Sequence, residues 1–230
     1  KVLPVEGKEK YAPFEGKVFE TSVGRLLFNS VLPSDYPYIN EEMRQRSLSA
    51  LIDELIQRYG LSALPAILDK IKSFGFQYAT YSGITWAIGD LVIPEGKRAI
   101  VDVAQEKADT INRQFEEGLL SGEERRRLKI EIWQHAKSEI EKLIPGALEK
   151  NGPVYDIWQS GARGALGQIT QMGGMKGLIA NPKGETIEFP ILSCAKEGLT
   201  PIEYFITTHG SRKGLTDTAL NTAKAGYLTR

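Results

Sequence analysis

The order of apolar and polar residues predicts helices in the first part of the chain. Residues 18–33 have the pattern of a short strand followed by a helix. Apolar side chains then recur every three or four positions across 48–56, which indicates a helix with one buried face. Gly60 is predicted to end this helix, and residues 64–74 are predicted to form the next one. The glycine-interrupted apolar run at 81–94 is predicted to be a connector.

The clearest helical pattern lies in residues 95–150. Two consecutive segments place apolar side chains on one side of a helix, and Ser121 with Glu124 forms a capping box at the start of the second. These apolar positions are Ile100, Val103, Ala104, Ile111, Phe115 and Leu119, followed by Leu128, Ile132, Ala136, Ile140 and Leu143. Because the link is short, the helices must run antiparallel. We predict a protruding coiled-coil hairpin, with a hairpin that packs on the rest of the protein as the alternative.

A glycine-rich stretch at 160–178 follows the hairpin and leads into a segment with a β-hairpin pattern at 179–191. Residues 181–184 supply its turn, and the alternation of polar and apolar side chains at 186–189 suits an edge strand. Together with the helices, these features predict a mainly α fold with small β elements and a long C-terminal helix.

The last helix has a well-defined start. Thr200 is predicted to be its N-cap, with Pro201 at the first helical position and Glu203 completing a capping box. Gly226 is predicted to end the helix. It would then cover about residues 201–224 and measure roughly 35 Å, at about 1.5 Å per residue.

The middle of this helix is weak. Ile202, Phe205 and Ile206 in its first turns are expected to lie in a core, but the apolar stripe breaks up after them. Gly210 and Gly214 each cost about 1 kcal/mol relative to alanine. One interpretation is a helix that crosses an open or polar space, where the glycines permit close approach and bending. The other is a surface helix that tolerates its glycines.

The composition is that of an ordinary globular protein, with 41% hydrophobic residues, 25% charged residues and a net charge of zero. This balance gives no general argument for nucleic-acid binding, although it permits a local basic stripe. The single cysteine, Cys194, excludes an internal disulfide and favours a reducing compartment. No apolar run reaches about 18 residues, so we predict no transmembrane helix and no membrane partner. We expect that the chain was cut from a longer protein.

Two runs of residues resemble the bacterial beta-prime subunit, the largest catalytic subunit of multisubunit RNA polymerase. Residues 197–230, EGLTPIEYFITTHGSRKGLTDTALNTAKAGYLTR, resemble its bridge helix. Residues 160–191, SGARGALGQITQMGGMKGLIANPKGETIEFPI, resemble the loop that precedes and supports that helix. Residues 74–94 and the hairpin at 95–144 look like the funnel and the rim helices of the secondary channel. The likeness covers nearly everything after residue 18.

The resemblance implies four consecutive segments. They are a funnel-like helical region with an N-terminal strand at 1–94, a coiled-coil rim hairpin at 95–150, a glycine-rich loop with a small β hairpin at 151–195, and the bridge helix at 196–230. It also implies a function as part of an enzyme that transfers nucleotides from NTPs to the 3′ end of RNA on a DNA template.

The family's site roles carry over to matching positions. Arg163 would reach toward the triphosphate of the incoming nucleotide, because a guanidinium binds phosphate oxygens bidentately, although it could instead satisfy carbonyls of its own loop. Thr222 and Ala223 would lie against the template nucleotide, and Arg230 would lie near nucleic acid. The hinge end of the bridge helix would comprise His209, Gly210, Arg212, Lys213 and Gly214, with the two glycines as the hinge.

The resemblance also implies that the catalytic centre lies elsewhere. This family holds Mg²⁺ on an Asp-rich loop and uses a mobile histidine-bearing trigger loop, and neither has a match in this sequence. His135 and His209, with one cysteine, cannot form a zinc site. We therefore expect no catalytic residue and no bound metal in this fragment, and no activity in isolation. Expected partners are the beta, alpha, omega and sigma subunits, template DNA, the transcript and NTPs, in the bacterial cytoplasm.

The tip of the predicted hairpin suggests an alternative function as a docking module. In this family the rim hairpin receives transcript-cleavage factors that enter the secondary channel. The charged side chains there are Glu116, Glu117, Glu123, Glu124, Arg125, Arg126 and Arg127. A solvated turn is the other interpretation, since Glu123 and Glu124 also suit the N-terminus of a helix.

Four positions depart from the residues that are usual in the family. Ala165 stands where serine is usual, Thr170 where arginine is common, Ser211 where alanine is commoner, and Asn221 where a basic residue is usual. The departures concern the contacts of the loop and the bridge helix.

Overall fold

The computed structural model describes residues 9–14 and 17–230 and divides them into two compact units. The first unit contains the described residues up to Thr85 together with Gln159–Ala162, and the second contains Trp86–Trp158 and Arg163–Arg230. The described residues form seven α-helices and no extended strand. The predicted mainly α fold is confirmed, but the predicted N-terminal strand is reduced to one bridge residue, Phe19.

The α-helices are α1 (Val23–Val31), α2 (Gln45–Ser82), α3 (Lys97–Glu116), α4 (Gly122–Ala147), α5 (Pro153–Gln159), α6 (Leu166–Ile169) and α7 (Pro201–Thr229). Short 3₁₀ helices occupy Glu9–Phe14 and Ile88–Asp90, and a π turn occupies Thr170–Gly174. The four segments expected from the resemblance stay predictions.

The first unit is built on the packing of α1 against α2. The buried residues of this hydrophobic core are Leu32, Tyr36, Leu51, Leu55, Leu64 and Ile67. Gly60 divides α2 into two helical halves, because its φ of 72° and ψ of 171° lie outside the helical region. The predicted break is thus confirmed. The second half continues past Phe74 to Ser82, where a ladder of ring contacts joins Phe74, Tyr78 and Tyr81.

Two buried polar side chains in the first unit, Asn29 and Lys10, are satisfied by hydrogen bonds. The side chain of Asn29, only 2% exposed, donates to the carbonyls of Arg25 and Ile39 and accepts from the Ile39 N–H, each at 2.8 Å. The buried ammonium of Lys10 donates to the carbonyls of Asn29 and Leu32. These hydrogen bonds fix the chain after α1.

The second unit is built on the antiparallel hairpin of α3 and α4, which confirms the two helices and the capping box at Ser121. Trp133 of α4 is 1% exposed and packs with Ala104 and Ala108 of α3. The second half of α4 also packs on the glycine-rich loop. A Cβ added to Gly174 would lie 3.0 Å from Cγ2 of Ile140, so only a glycine lets this backbone approach the helix. The second half of α4 therefore packs on another part of the protein, as in the alternative of a packed hairpin.

The segment after the loop forms a short hairpin with isolated bridges between Gly177 and Ile191 and between Ala180 and Thr186. The N–H of Gly184 donates to the carbonyl of Asn181 at 2.9 Å, which closes the predicted turn. Two bridges give a narrower β element than the edge strand expected from the sequence.

Two predictions about the long helix α7 were wrong. Gly226 does not end it, since the helix continues to Thr229 at the cost of one interior glycine. Ile202 and Phe205 are 62% and 67% exposed and do not enter a core. The buried side of the first turns belongs instead to Glu203, and successive residues of a helix turn by about 100°, so Ile202 and Phe205 point away from it.

Beyond Gly210, no side chain of α7 is buried against the part of the chain that the structure describes. We therefore expect the backbone amides of 211–223 to exchange with solvent faster than those of 128–143 in α4, which carry the hairpin core. Native-state hydrogen exchange with mass spectrometry measures both segments in one sample. Equal protection of the two segments would contradict the expectation.

Candidate nucleic-acid interface

The start of α7 is held by one buried carboxylate. Oε1 of Glu203 accepts the N–H groups of Leu192 and Ser193, both at 3.1 Å. Oε2 accepts the N–H of Thr200 at 2.9 Å and its hydroxyl at 3.0 Å. Both oxygens are therefore occupied by donors, and the side chain is 5% exposed. The capping box predicted from the sequence joins the helix to the β-hairpin segment as well as to its own N-cap.

Burial alone would raise the pKa of Glu203, but the hydrogen bonds from Thr200 and Ser193 outweigh it and hold the pKa below its ordinary value. The carboxylate is thus charged in the folded protein at neutral pH. It supplies the negative charge that the N-terminus of a helix favours.

A second connection precedes the helix. The ammonium of Lys97, which is 7% exposed, forms an ion pair with Glu197. The same carboxylate accepts the N–H of Cys194 at 3.0 Å, and burial raises the pKa of the Cys194 thiol. Lys97 and Glu197 are 100 positions apart in the chain, so no local pattern could have indicated their pairing.

The two glycines of the predicted hinge differ in their surroundings. A Cβ added to Gly210 would lie 2.9 Å from Cγ2 of Ile179. A Cβ added to Gly214 would meet no atom within 4 Å. The absence of a side chain is therefore a packing requirement at Gly210 and a matter of backbone freedom at Gly214. Ile179 was not singled out from the sequence.

Two of the other hinge residues, His209 and Lys213, have local partners. His209 Nδ1 lies 3.3 Å from the carbonyl of Ile206, and its ring meets that of Phe205 edge-on at 5.5 Å. Lys213 forms an ion pair with Asp217 one turn later at 2.9 Å. Arg212 is exposed.

The predicted template-facing residues lie on the bare part of α7. Thr222, Ala223 and Arg230 are all exposed. The Thr222 hydroxyl donates to the carbonyl of Thr218 at 2.6 Å, so its proton is used inside the helix. Thr222 and Ala223 together present a small surface with no free donor of their own.

Arg163 lies in the turn before α6 and is exposed. Within the described residues, its guanidinium has neither a hydrogen bond nor an ion pair. The structural interpretation, in which Arg163 satisfies carbonyls of its own loop, therefore has no contact to support it. The structure does not bring Arg163 into contact with the predicted residues of α7.

The hairpin tip is more constrained than the sequence suggested. Arg125 lies 3.3 Å from Glu188 and 4.5 Å from the centroid of the Phe115 ring. Arg126 donates to the carbonyl of Thr186 at 3.1 Å. Glu124 caps α4, and its hydrogen bonds with Ser121 lower its pKa. Three of the predicted docking residues thus have partners within the chain, whereas Glu116, Glu117 and Glu123 are exposed.

Neither a metal site nor a membrane span is found in the described ranges. Residues 9–14 and 17–230 contain no group of three or more His, Cys, Asp or Glu side chains that could hold a metal ion. Among the same residues, no helix combines the length and the apolar character needed to cross a membrane.

Three models of one protein family match consecutive parts of the sequence. RNA polymerase Rpb1, domain 3, matches residues 6–91; RNA polymerase Rpb1, domain 4, matches 104–210; and RNA polymerase Rpb1, domain 5, matches 198–230. The chain belongs to the RNA polymerase Rpb1 family. The match to domain 5 begins at residue 198, shortly before α7, which starts at Pro201.

Bacterial relatives of this Rpb1-family chain are similar along its whole length. It is 46% identical to the DNA-directed RNA polymerase subunit beta' of Acidothermus cellulolyticus over 96% of the chain and 17% of the relative. It is 45% identical to the same subunit of Nocardioides sp. over 100% of the chain and 18% of the relative. It is 45% identical to the same subunit of Thermobifida fusca over 98% of the chain and 17% of the relative. The chain thus spans about one sixth of the length of these relatives.

Replacing Glu203 with glutamine should destabilise this Rpb1-family chain by about 2 kcal/mol, because the new amide group would face an N–H instead of accepting from it. Urea denaturation at pH 7 measures the loss. Glu124→Gln is the matched control, since Glu124 fills the same capping-box position but uses only Oε2 and leaves Oε1 in solvent. A loss for Glu203→Gln no larger than that for Glu124→Gln would contradict the role assigned to Glu203.

The loss of stability caused by Glu203→Gln should depend on pH. A carboxylate with a lowered folded pKa stabilises the protein fully above its unfolded pKa, and this contribution disappears as the pH falls through the folded value. The ordinary value for Glu203 is 4.5, so the difference between wild type and Glu203→Gln should shrink below that pH.

The two hinge glycines should respond oppositely to alanine. Gly214→Ala should stabilise α7 by about 1 kcal/mol, because the site is open and alanine favours the helix. Gly210→Ala should destabilise the chain, because its methyl group would contact Ile179. Urea denaturation compares the two variants, and adding Ile179→Ala to Gly210→Ala should recover part of the loss. A stabilising Gly210→Ala would refute the packing argument.

Proposed function

We propose that this chain is the part of a bacterial-type RNA polymerase beta' subunit that lines the secondary channel and supplies the bridge helix. It acts in nucleotidyl transfer from NTPs to RNA on a DNA template, and only as part of the whole enzyme. The observation that carries the proposal is the construction of α7. The helix is fixed at Glu203 and then extends from Ser211 to Thr229 without a buried side chain.

A helix of this kind suits contact with a nucleic-acid duplex. A polymerase must copy any template, so its contacts near the active centre depend on backbone and shape rather than on base edges. Thr222 and Ala223 fit this requirement, since both are small and exposed and the hydroxyl proton of Thr222 is used within the helix. A base pair could lie against them at short distance without being read.

The basic residues suit phosphate contacts. The guanidinium of Arg163 is exposed and has no partner among the described residues, so it is available for the triphosphate of an incoming nucleotide. Arg212 and Arg230 are available for nucleic acid. Lys213 is already paired with Asp217, so in this proposal it contributes to the stiffness of the hinge end.

Bending of α7 would start between its two glycines. On the Gly210 side the helix lies against Ile179 and is supported by the hairpin segment. A Cβ added to Gly214 would meet no atom within 4 Å, and no side chain from there to Thr229 is buried against the described residues. A change in the curvature of the free part would move Thr222 and Ala223 while leaving the Glu203 contacts in place.

The catalytic metal is assigned to the rest of the enzyme. Mg²⁺ in phosphoryl transfer supplies charge stabilisation and needs several carboxylates at one point. The described residues do not offer such a set. The chain is therefore proposed to be inactive alone and to work with the other polymerase subunits, template DNA, transcript and NTPs in the bacterial cytoplasm.

The alternative docking function is not favoured. Two of its arginines, Arg125 and Arg126, already contact Glu188 and Thr186. Reversing their charge would detach the tip from residues 186–188 and would not be a clean test of factor binding.

The proposal is tested by photo-crosslinking in a whole polymerase that carries this segment. Benzoylphenylalanine at position 223, in place of Ala223, should crosslink to labelled template DNA in a stalled elongation complex. The matched control places the same residue at His135, an exposed position on α4. Crosslinking needs no turnover, so a variant with impaired catalysis still gives a result. A template crosslink at His135 and none at Ala223 would overturn the assignment.

A further inference from the structure

The second unit contains a cavity of about 410 Å³, and of its lining residues the proposed function uses only Arg163. Its walls include the two tryptophans Trp86 and Trp158, the apolar side chains of Leu91 and Met172, and the cationic side chains of Arg163 and Lys176. This volume lies within the range of small-molecule sites, which combine apolar walls with a few polar groups.

Lys176 is the unusual member of this set. It is half-buried, and within the described residues its ammonium group makes no hydrogen bond and no ion pair. Burial lowers its pKa, since no neighbouring carboxylate compensates for the lost hydration. By contrast, Lys97 is paired with Glu197, and Lys10 donates to two carbonyls. Among the described residues, the fold satisfies the two buried lysines and leaves Lys176 without a partner.

The charged side chains that line the cavity are all cationic. Arg163 adds a second cation, and no Asp or Glu belongs to the lining. The remaining polar side chains, Gln168 and Gln171, are neutral and can donate as well as accept. Two cations beside aromatic walls favour a ligand that has anionic oxygens and a flat ring, because the oxygens pair with the cations and the ring packs on tryptophan.

We propose that this cavity is a binding site for a small aromatic anion, with Lys176 and Arg163 pairing with its carboxylate or phosphate and Trp86 and Trp158 contacting its ring. The inference uses only side chains of this chain, so it stands or fails independently of the crosslinking result. Arg163 lies at both sites, whereas Lys176 and the two tryptophans belong to the cavity alone.

The test is a titration of the ¹⁵N-labelled 230-residue chain with phenyl phosphate, followed by NMR of the indole N–H groups. The chain has three tryptophans, and the third, Trp133, lies in the hairpin core at 1% exposure. Two of the three indole signals should shift, and Trp86→Phe and Trp158→Phe assign them. Inorganic phosphate and neutral benzamide should each bind about tenfold more weakly, since each lacks one half of the recognised chemistry.

Lys176→Met should weaken phenyl phosphate binding about tenfold, because it removes the charge and keeps the length of the side chain. Lys183→Met is the control, since Lys183 is exposed in the turn at 181–184. If Lys176→Met does not fold, Arg163→Met at the exposed arginine gives the same comparison. The inference is overturned if phenyl phosphate shifts neither cavity tryptophan, if benzamide binds equally well, or if the folded charge-removing variant binds like wild type.

Discussion

The structure of the second unit depends on one buried carboxylate. Glu203 accepts the N–H groups of Leu192 and Ser193 through one oxygen and two donors from Thr200 through the other. The arrangement satisfies the first turn of α7 and fixes its direction relative to residues 192 and 193. Because these donors come from separate parts of the chain, the helix cannot rotate about its start without leaving a buried charge unpaired, which is costly.

The support behind Glu203 is a series of close backbone contacts. Gly174 brings the glycine-rich loop onto Ile140 and Ile144 of α4, and the hairpin that follows carries Ile179 to Gly210. In the same β-hairpin segment, Glu188 forms an ion pair with Arg125 and lies 3.9 Å from Arg126, both at the tip of the α3–α4 hairpin. The α3–α4 hairpin, the glycine-rich loop and the start of α7 are therefore connected by direct contacts.

Local sequence signals predicted the starts of helices well. Ser121 with Glu124 and Thr200 with Glu203 were identified because a capping box needs only four consecutive residues. The end of α7 was not predicted. Gly226 ends a helix only when a neighbouring contact stabilises the turn that follows, and the described residues provide no such contact. Ile202 and Phe205 were assigned to a core because apolar residues usually are buried, whereas here the inward position belongs to Glu203.

Contacts between distant residues could not be inferred from one sequence. The pair of Lys97 and Glu197 and the approach of Ile179 to Gly210 join parts of the chain that no local pattern relates. The same limit applies to the hairpin tip, where the charges of Arg125 and Arg126 suggested a free surface and instead contact residues 186–188. The family resemblance gave the site residues their expected roles, but only coordinates show which of them already have partners.

The free part of α7 has a physical consequence for the role of the helix. Most of the stability of a helix in a protein comes from tertiary packing rather than from intrinsic propensity, and the free part of α7 also contains interior glycines. Leu215, Leu220, Tyr227 and Leu228 are between 63% and 87% exposed on it. Such a segment can gain packing stability only from neighbours outside the described residues. The relatives are about six times as long as this chain, so their remaining parts could supply such neighbours. A helix whose stability comes from what it touches changes its shape when those contacts change, and this is the property that a moving nucleic-acid duplex beside it would require.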